Sequence, residues 1–460
     1  MFLPSGFVRH SVSQEMRHQY NAVCMGKGQE LYQKAKTLIP GGTQLLSKRP
    51  ELHLPDLWPS YYTRTRGVEV WDLDGRRYID MSMNGIGANV LGAADPDVNA
   101  AVHAAVDAGT MSTLNCPEEV ELAQLLCEIH PWAGMSRFAR CGGEAMAVAV
   151  RIARAHTGRE KIAFCGYHGW HDWYLSANLA EDDVLDGHLL PGLAPKGVPR
   201  GLTGTMLPFR YNKLDELEQI IARQGNEIAA ITMEPMREHG PEGDFLKKIR
   251  ALATRIGAVL IFDEVTSGFR MNCGGIHLTL GVDPDIAVFA KALGNGYPSA
   301  AIIGRKTVME SAQQTFISST NWTERIGPVA ALATIKKFRS HHVHEHLIRI
   351  GTLVKEGWKT AAVKASLPLE VSGIPPLGHF SITGEHGQAA RTLFTQHMLE
   401  QGFLAGSAFY ATYAHTEEHV ALYLKAVEEV FAICAKALKR GSVEQELNGP
   451  IAHAGFRRLT

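Results

Sequence analysis

No cysteine of this chain stands in a CxxC pair. The seven cysteines, at positions 24, 116, 127, 141, 165, 273 and 434, are odd in number and scattered. That spacing argues against a disulfide framework or a zinc site and fits a reducing cytoplasm. An excess of one charge is missing too: 46 Lys and Arg stand against 47 Asp and Glu, a formal net charge of -1. Such a balance gives no support for a nucleic-acid or polyanion surface. No stretch approaches the ~20 apolar residues of a membrane helix. The opening residues, "MFLPSGFVRHSVSQEMRHQY", lack the continuous apolar core of a signal peptide. Internal repeats and low-complexity tracts are absent. What is present is an average globular mixture, 45% hydrophobic and 20% charged over 460 residues, with material for a sizeable core. The expectation is a soluble cytoplasmic protein.

Organisation follows from local texture. Residues 1 to 40 read as helical and polar, ending where Pro40, Gly41 and Gly42 break any regular element. "GVEVWDLDGRRYIDMS" alternates apolar and polar around Asp74-Gly75, a hairpin signal. "PEEVELAQLLCEIHP" opens with proline and carries acids in its first turn, as helices do. "SRFAR" then reads as a strand, "EAMAVAVRIARAHTG" as a helix and "KIAFC" as a strand. "EIAAITMEP", "AVLIFDEV" and "DIAVFAK" are nearly uninterrupted apolar strands. Such runs suit a parallel sheet covered by helices on both faces, whose ligands bind beyond the carboxyl ends of the strands. Glu234, Asp263 and Lys291 would then face one crevice. Beyond about residue 335 the texture changes to helices with shorter strands. The expected division is an N-terminal segment over residues 1–75, a large domain over 76–335 and a smaller C-terminal domain over 336–460.

Lys291 sits between two apolar runs in "AVFAKALGNGYPSAAIIG". Alone it reads as a solvated strand-end lysine; beside an electrophile it is an amine able to form a Schiff base. Pyridoxal phosphate needs such a lysine, an acid on its pyridinium nitrogen and a phosphate cradle. Asp263, leaving the apolar "VLIFD", is the candidate acid, with an ordinary salt bridge or helix cap as its other reading. Cys141-Gly142-Gly143, between a strand and a helix, is the candidate cradle, because glycines let backbone N–H groups approach an anion. In "FCGYHGWHDW", Tyr167 is placed to stack on a planar cofactor, and His168 and His171 are packing or site residues.

Together these pieces resemble the class III pyridoxal-phosphate aminotransferases, most of all the glutamate-1-semialdehyde aminomutase group. The resemblance spans roughly residues 35 to 435 and rests on "PGG" at 40, "VWDLDGRRYIDM", "CGGEAMAVAVRIAR", "GYHGWHD", "EP" at 234, "DEVTSGFR", "AKALGNGYP" and "YAHTEEH". It implies a type I fold: a large α/β domain around a mostly parallel seven-stranded sheet, and a smaller α+β lobe from both termini. It further implies Lys291 as Schiff-base lysine and proton shuttle, and Asp263 on the pyridine nitrogen. Val265 would lie against the ring face opposite Tyr167, and Gly142 and Gly143 would bind phosphate through their amides. A phosphate-binding threonine from the neighbouring subunit falls on Thr323, by its interval to Pro328, with Thr320 as the other choice. The active unit would be a homodimer.

Departures from the pattern bear on substrate. The family's "NSGTEA" is "RCGGEA" here, so Cys141 and Gly143 replace a serine and a threonine. The aminomutases' carboxylate-binding arginine falls on Lys48, with Arg49 adjacent, and their "SPSQFEA" becomes "AGSAFYA", without the glutamate. The implied activity is amino transfer between an amine or amino-acid donor and a carbonyl acceptor. An intramolecular aminomutase is the alternative on the same chemistry, and a non-catalytic binding or regulatory protein the alternative of another class.

Overall fold

Asp74 and Gly75 do turn a hairpin. In the computed structural model, which describes residues 26–181, 183–188, 191–236 and 238–455, Asp72 Oδ1 accepts the N–H groups of Asp74 at 2.9 Å and Arg76 at 2.8 Å, while Gly75 takes φ +80°. Around it β1 (Tyr62–Arg66), β2 (Glu69–Asp72) and β3 (Arg77–Asp80) pair antiparallel in sequence order. The helical reading of the first 40 residues survives as the helix Lys27–Leu38; residues 1–25 lie outside the described residues.

The apolar runs become a seven-stranded sheet. Its members are β4 (Met135–Ala139), β5 (Lys161–Cys165), β6 (Met206–Pro208), β7 (Ile228–Met233), β8 (Val259–Asp263), β9 (Ile286–Phe289) and β10 (Ala300–Gly304). They lie in the order β4-β10-β9-β8-β7-β5-β6, and only β10 runs antiparallel to its neighbours. Every residue of β7, β8, β9 and β10 is buried. Side chains alternate between the two faces. Ile162, Phe164 and Ile261 pack with Ala145, Ala149 and Ile152 of the helix Gly142–Thr157. Ala163, Leu260 and Phe262 pack with Phe245, Ile249 and Leu252 of the helix Phe245–Ile256. Both faces being covered, a strand without polar alternation is what the sheet requires.

Toward the C-terminus, β11 (Leu369–Ser372), β12 (Leu377–Ile382) and β14 (Ala408–Tyr410) form a smaller antiparallel sheet. The helices Val343–Ala365, Gly387–Glu400 and Glu417–Arg440 pack around it, and Trp358 Nε1 donates to the buried Tyr423 hydroxyl at 3.0 Å. Between them β13 (Phe403–Leu404) pairs parallel with β3, Phe403 opposite Ile79, so segments from both ends of the chain share one sheet. Among the described residues, no helix is long and apolar enough to cross a membrane.

Candidate active site

Strand β8 ends on Asp263, whose carboxylate is almost wholly buried, so it needs partners. Its Oδ1 accepts the N–H of Val265 at 3.0 Å, and its Oδ2 lies 2.8 Å from Nδ1 of the buried His168. The other ring nitrogen, Nε2, is 3.1 Å from the carbonyl oxygen of Cys165. Both nitrogens of His168 face acceptors, and the ring can donate to both only with a proton on each. The sequence reads this histidine as a packing or a site residue; its position makes it the direct support of the acid.

On the neighbouring strand, β9 ends at Phe289, and two residues later Lys291 opens a short 3₁₀ turn. Lys291 has φ +46°, in the left-handed region that non-glycine residues rarely occupy and that concentrates at functional positions. Lys291 Nζ donates to Thr266 Oγ1 at 2.9 Å. Thr266 lies three residues past Asp263, on the turn leaving β8, so one turn serves both the acid and the amine. Within "DEVTSGFR" the one mark of this threonine is a hydroxyl just after the strand-end acid.

The glycine turn lies against the same turn. Cys141 caps the helix Gly142–Thr157, and the Glu144 carboxylate accepts the N–H groups of Arg140 and Cys141, each at 3.1 Å. The N–H groups of the first helical turn, Gly142 and Gly143 among them, have no partner within the helix. A β-carbon on Gly142 would stand 2.9 Å from Val265 Cγ1 and 3.6 Å from Ala290 Cβ, so a side chain here would displace Val265. A β-carbon on Gly143 would stand 3.3 Å from His171 Nδ1, a buried atom with no hydrogen-bond partner. Cradle, acid-bearing turn and lysine-bearing turn therefore converge.

Tyr167 follows Gly166, whose φ of +105° swings the chain out of β5. Two neighbours hold that turn: the Tyr174 hydroxyl donates to the Gly166 carbonyl at 3.0 Å, and the Gly166 N–H donates to His188 Nδ1 at 3.1 Å. Burial, reinforced by Tyr167, Glu234 and Asp263, pushes the Tyr174 hydroxyl up, keeping it a donor. Burial, then the nearby His168 ring, pushes His188 down to about 4, keeping it an acceptor. Tyr167 and Val265 border the same apolar cluster.

The other sequence candidates are placed as follows. Glu234 follows β7 and lines a pocket with Cys165, Gly166, His188, Arg210 and Tyr211. Thr323 is exposed, its hydroxyl donating to the Thr320 carbonyl at 2.9 Å. Lys48 is close enough to half-buried Asp80 to oppose the rise that desolvation imposes on that carboxyl. The Arg49 guanidinium is folded against Gly41, where any side chain would collide with it.

A buried acid, an amine on the next strand, glycine amides at a helix start and an orphaned polar atom beside them fit pyridoxal phosphate. The profile of the family described as Aminotransferase class-III matches residues 55–430. The chain belongs to that family. The class-III aminotransferase is 32% identical over 434 residues to a glutamate-1-semialdehyde 2,1-aminomutase of Desulforamulus reducens, covering 89% of this chain and 98% of the relative. It is 28% identical over 429 residues to a 3-aminobutyryl-CoA aminotransferase of Cloacimonas acidaminovorans, covering 90% and 99%. Its fold matches the pyridoxal-phosphate internal aldimine form of the Sphingopyxis sp. MTA144 FumI protein, with a TM-score of 0.82 at 24% identity, covering 90% of this chain and 98% of that one. The expected type I fold, the pyridoxal-phosphate cofactor and amino transfer as the enzyme's activity all hold.

Proposed function

We propose that this aminotransferase works through Lys291, with Asp263 as the acid on the cofactor's ring nitrogen and an amine or amino acid and a carbonyl compound as its substrates. The observation carrying this reading is the pairing of buried Asp263 with His168 at the end of β8, beside the lysine turn that follows β9. When bound, pyridoxal phosphate supplies the carbonyl that takes up the amino group and a ring that draws electrons from the substrate's Cα–H bond. Lys291 Nζ then accepts the Cα proton, and Thr266 Oγ1 holds the amine in reach. The Asp263 carboxylate, fixed by His168 and the Val265 amide, keeps a proton on the ring nitrogen. Gly142 and Gly143 would hold the phosphate through their amides, with Cys141 flanking them, and Tyr167 and Val265 would pack against the ring.

Borohydride reduction followed by peptide mass mapping tests the assignment. The fixed cofactor is expected on the peptide containing Lys291, and its recovery on any other lysine would refute the site. An aminomutase of the kind named among the relatives turns over one substrate alone, whereas the transaminase reading requires a separate acceptor.

The enzyme is also proposed to act as a homodimer, with Thr323 reaching the partner's phosphate. Exposed Phe316 supports this, since it lines a surface pocket with Ile317 and Trp322, next to Thr323, and apolar side chains clustered at a surface mark a contact site. Six free cysteines among the described residues support a reducing compartment such as the cytoplasm. Mixing Lys291→Ala chains with Thr323→Ala chains should restore activity in part, because one site of each mixed dimer then carries neither defect. No recovery, with mixed dimers verified by mass and each parent impaired, counts against a shared site.

A further inference from the structure

Next to Asp263 in the chain stands a second acid, Glu264, which is fully buried and has no part in the chemistry above. Its Oε1 accepts the N–H of His277 at 3.0 Å and lies 2.8 Å from His277 Nδ1, and its Oε2 accepts the Ser267 hydroxyl at 2.6 Å. The other side of the buried His277 ring fixes where its proton sits. Trp132 Nε1 donates to His277 Nε2 at 3.0 Å, and an indole N–H can only donate. Nε2 therefore carries no proton, and a neutral ring donates from Nδ1 to Glu264. Burial raises the Glu264 carboxyl, but the bonds from His277 and Ser267 outweigh it and hold it below its ordinary value, as a carboxylate. The fit is close: a β-carbon on Gly275 would collide with His277 Nδ1 and stand 2.8 Å from Glu264 Oε1.

The backbone of Glu264 is fastened as well. Its N–H donates to the Val288 carbonyl of β9 at 2.9 Å, and its carbonyl accepts the Gly268 N–H at 2.8 Å, closing residues 264–268 into one turn. A β-carbon on Gly268 would stand 2.7 Å from that carbonyl. Thr266 lies inside this turn, between Glu264 and Ser267, and its hydroxyl is the one that meets Lys291 Nζ at 2.9 Å. Removing the carboxylate would leave the His277 donors and the Ser267 hydroxyl buried without their acceptor, a cost that a shift of the turn would relieve. Such shifts matter, because misplacing a reacting group by about 1 Å can cost about a hundredfold in rate.

We propose that Glu264 is a positioning residue, which through Ser267 and His277 fixes the turn on which Thr266 holds the Lys291 amine for reaction. The inference rests on the Lys291 site proposed above. It is tested on the full chain without substrate, by adding saturating pyridoxal phosphate to protein dialysed free of it. Borohydride added at timed intervals fixes the bond that joins amine to aldehyde carbon with loss of water. Peptide mass mapping then gives the rate constant of capture on Lys291 and the final fraction captured. Glu264→Gln should capture within threefold of the wild-type rate, since the amide oxygen still accepts from His277 and the amide nitrogen can donate to Ser267 Oγ. Glu264→Leu keeps no polar atom and should slow capture about tenfold or more, with the final fraction unchanged. Should Glu264→Leu fail to fold, Ser267→Ala, which removes the hydroxyl beside Thr266, is read against the same threshold. A merely structural role would lower the final fraction and leave the rate constant near wild type. That result, or a Glu264→Gln variant slowed more than threefold, overturns the proposal. With the wild-type adduct on Lys291, such an outcome removes Glu264 alone; an adduct on another lysine overturns the underlying site as well.

Discussion

Lys291→Ala should retain its fold and lose turnover by about ten-thousandfold, the upper range for removing a positioned acid–base group. The substitution deletes one amine, which donates to the Thr266 hydroxyl, and leaves the buried strands β9 and β10 intact. Unfolding should therefore change little, although φ +46° remains as awkward for alanine as for lysine. Without Nζ nothing at that position takes the Cα proton or holds the cofactor covalently. The measurement is single-turnover conversion of bound cofactor by an amino donor, with the thermal midpoint recorded alongside. Residual turnover above one part in a hundred in a correctly folded variant would remove Lys291 from the chemistry.

Asp263→Asn should lower the rate about a hundred- to a thousandfold, as when one electrostatic stabiliser of a developing charge is removed. Stability should barely move, for a specific reason. The amide oxygen can still accept the Val265 N–H, and the amide nitrogen can donate to His168 Nδ1 while Nε2 keeps its bond to Cys165. All three bonds survive, the one to His168 with its polarity reversed, and the charge disappears. A variant with normal turnover, or one that unfolds, would show that Asp263 acts in some other way.

The strands of the large sheet were legible in the sequence because β7, β8 and β9 are buried on both faces and so carry unbroken apolar runs. Direction was not. "SAAIIG" reads the same whether parallel or antiparallel, and β10 proves to be the reversed strand. Lys291, Asp263 and the glycine pair were visible because each stands where an apolar strand stops. The role of His168 was not, since its partner lies 95 residues away and a histidine in a turn has no local mark of that pairing. Glu264 was hidden for the opposite reason: a charged residue in a polar-looking "DEVTSGFR" reads as surface, yet the chain buries it completely.

The parallel pairing of β3 with β13 sets the order in which the chain can finish folding. Ile79 waits for Phe403, so during synthesis the hairpin of β1, β2 and β3 exposes an open edge until the C-terminal part has emerged. An unpaired edge is a template for association with other chains. Closing so distant a contact is slow, and the species awaiting it are aggregation-prone. Recombinant yield should accordingly depend on growth temperature and translation speed more than on the stability of the finished protein.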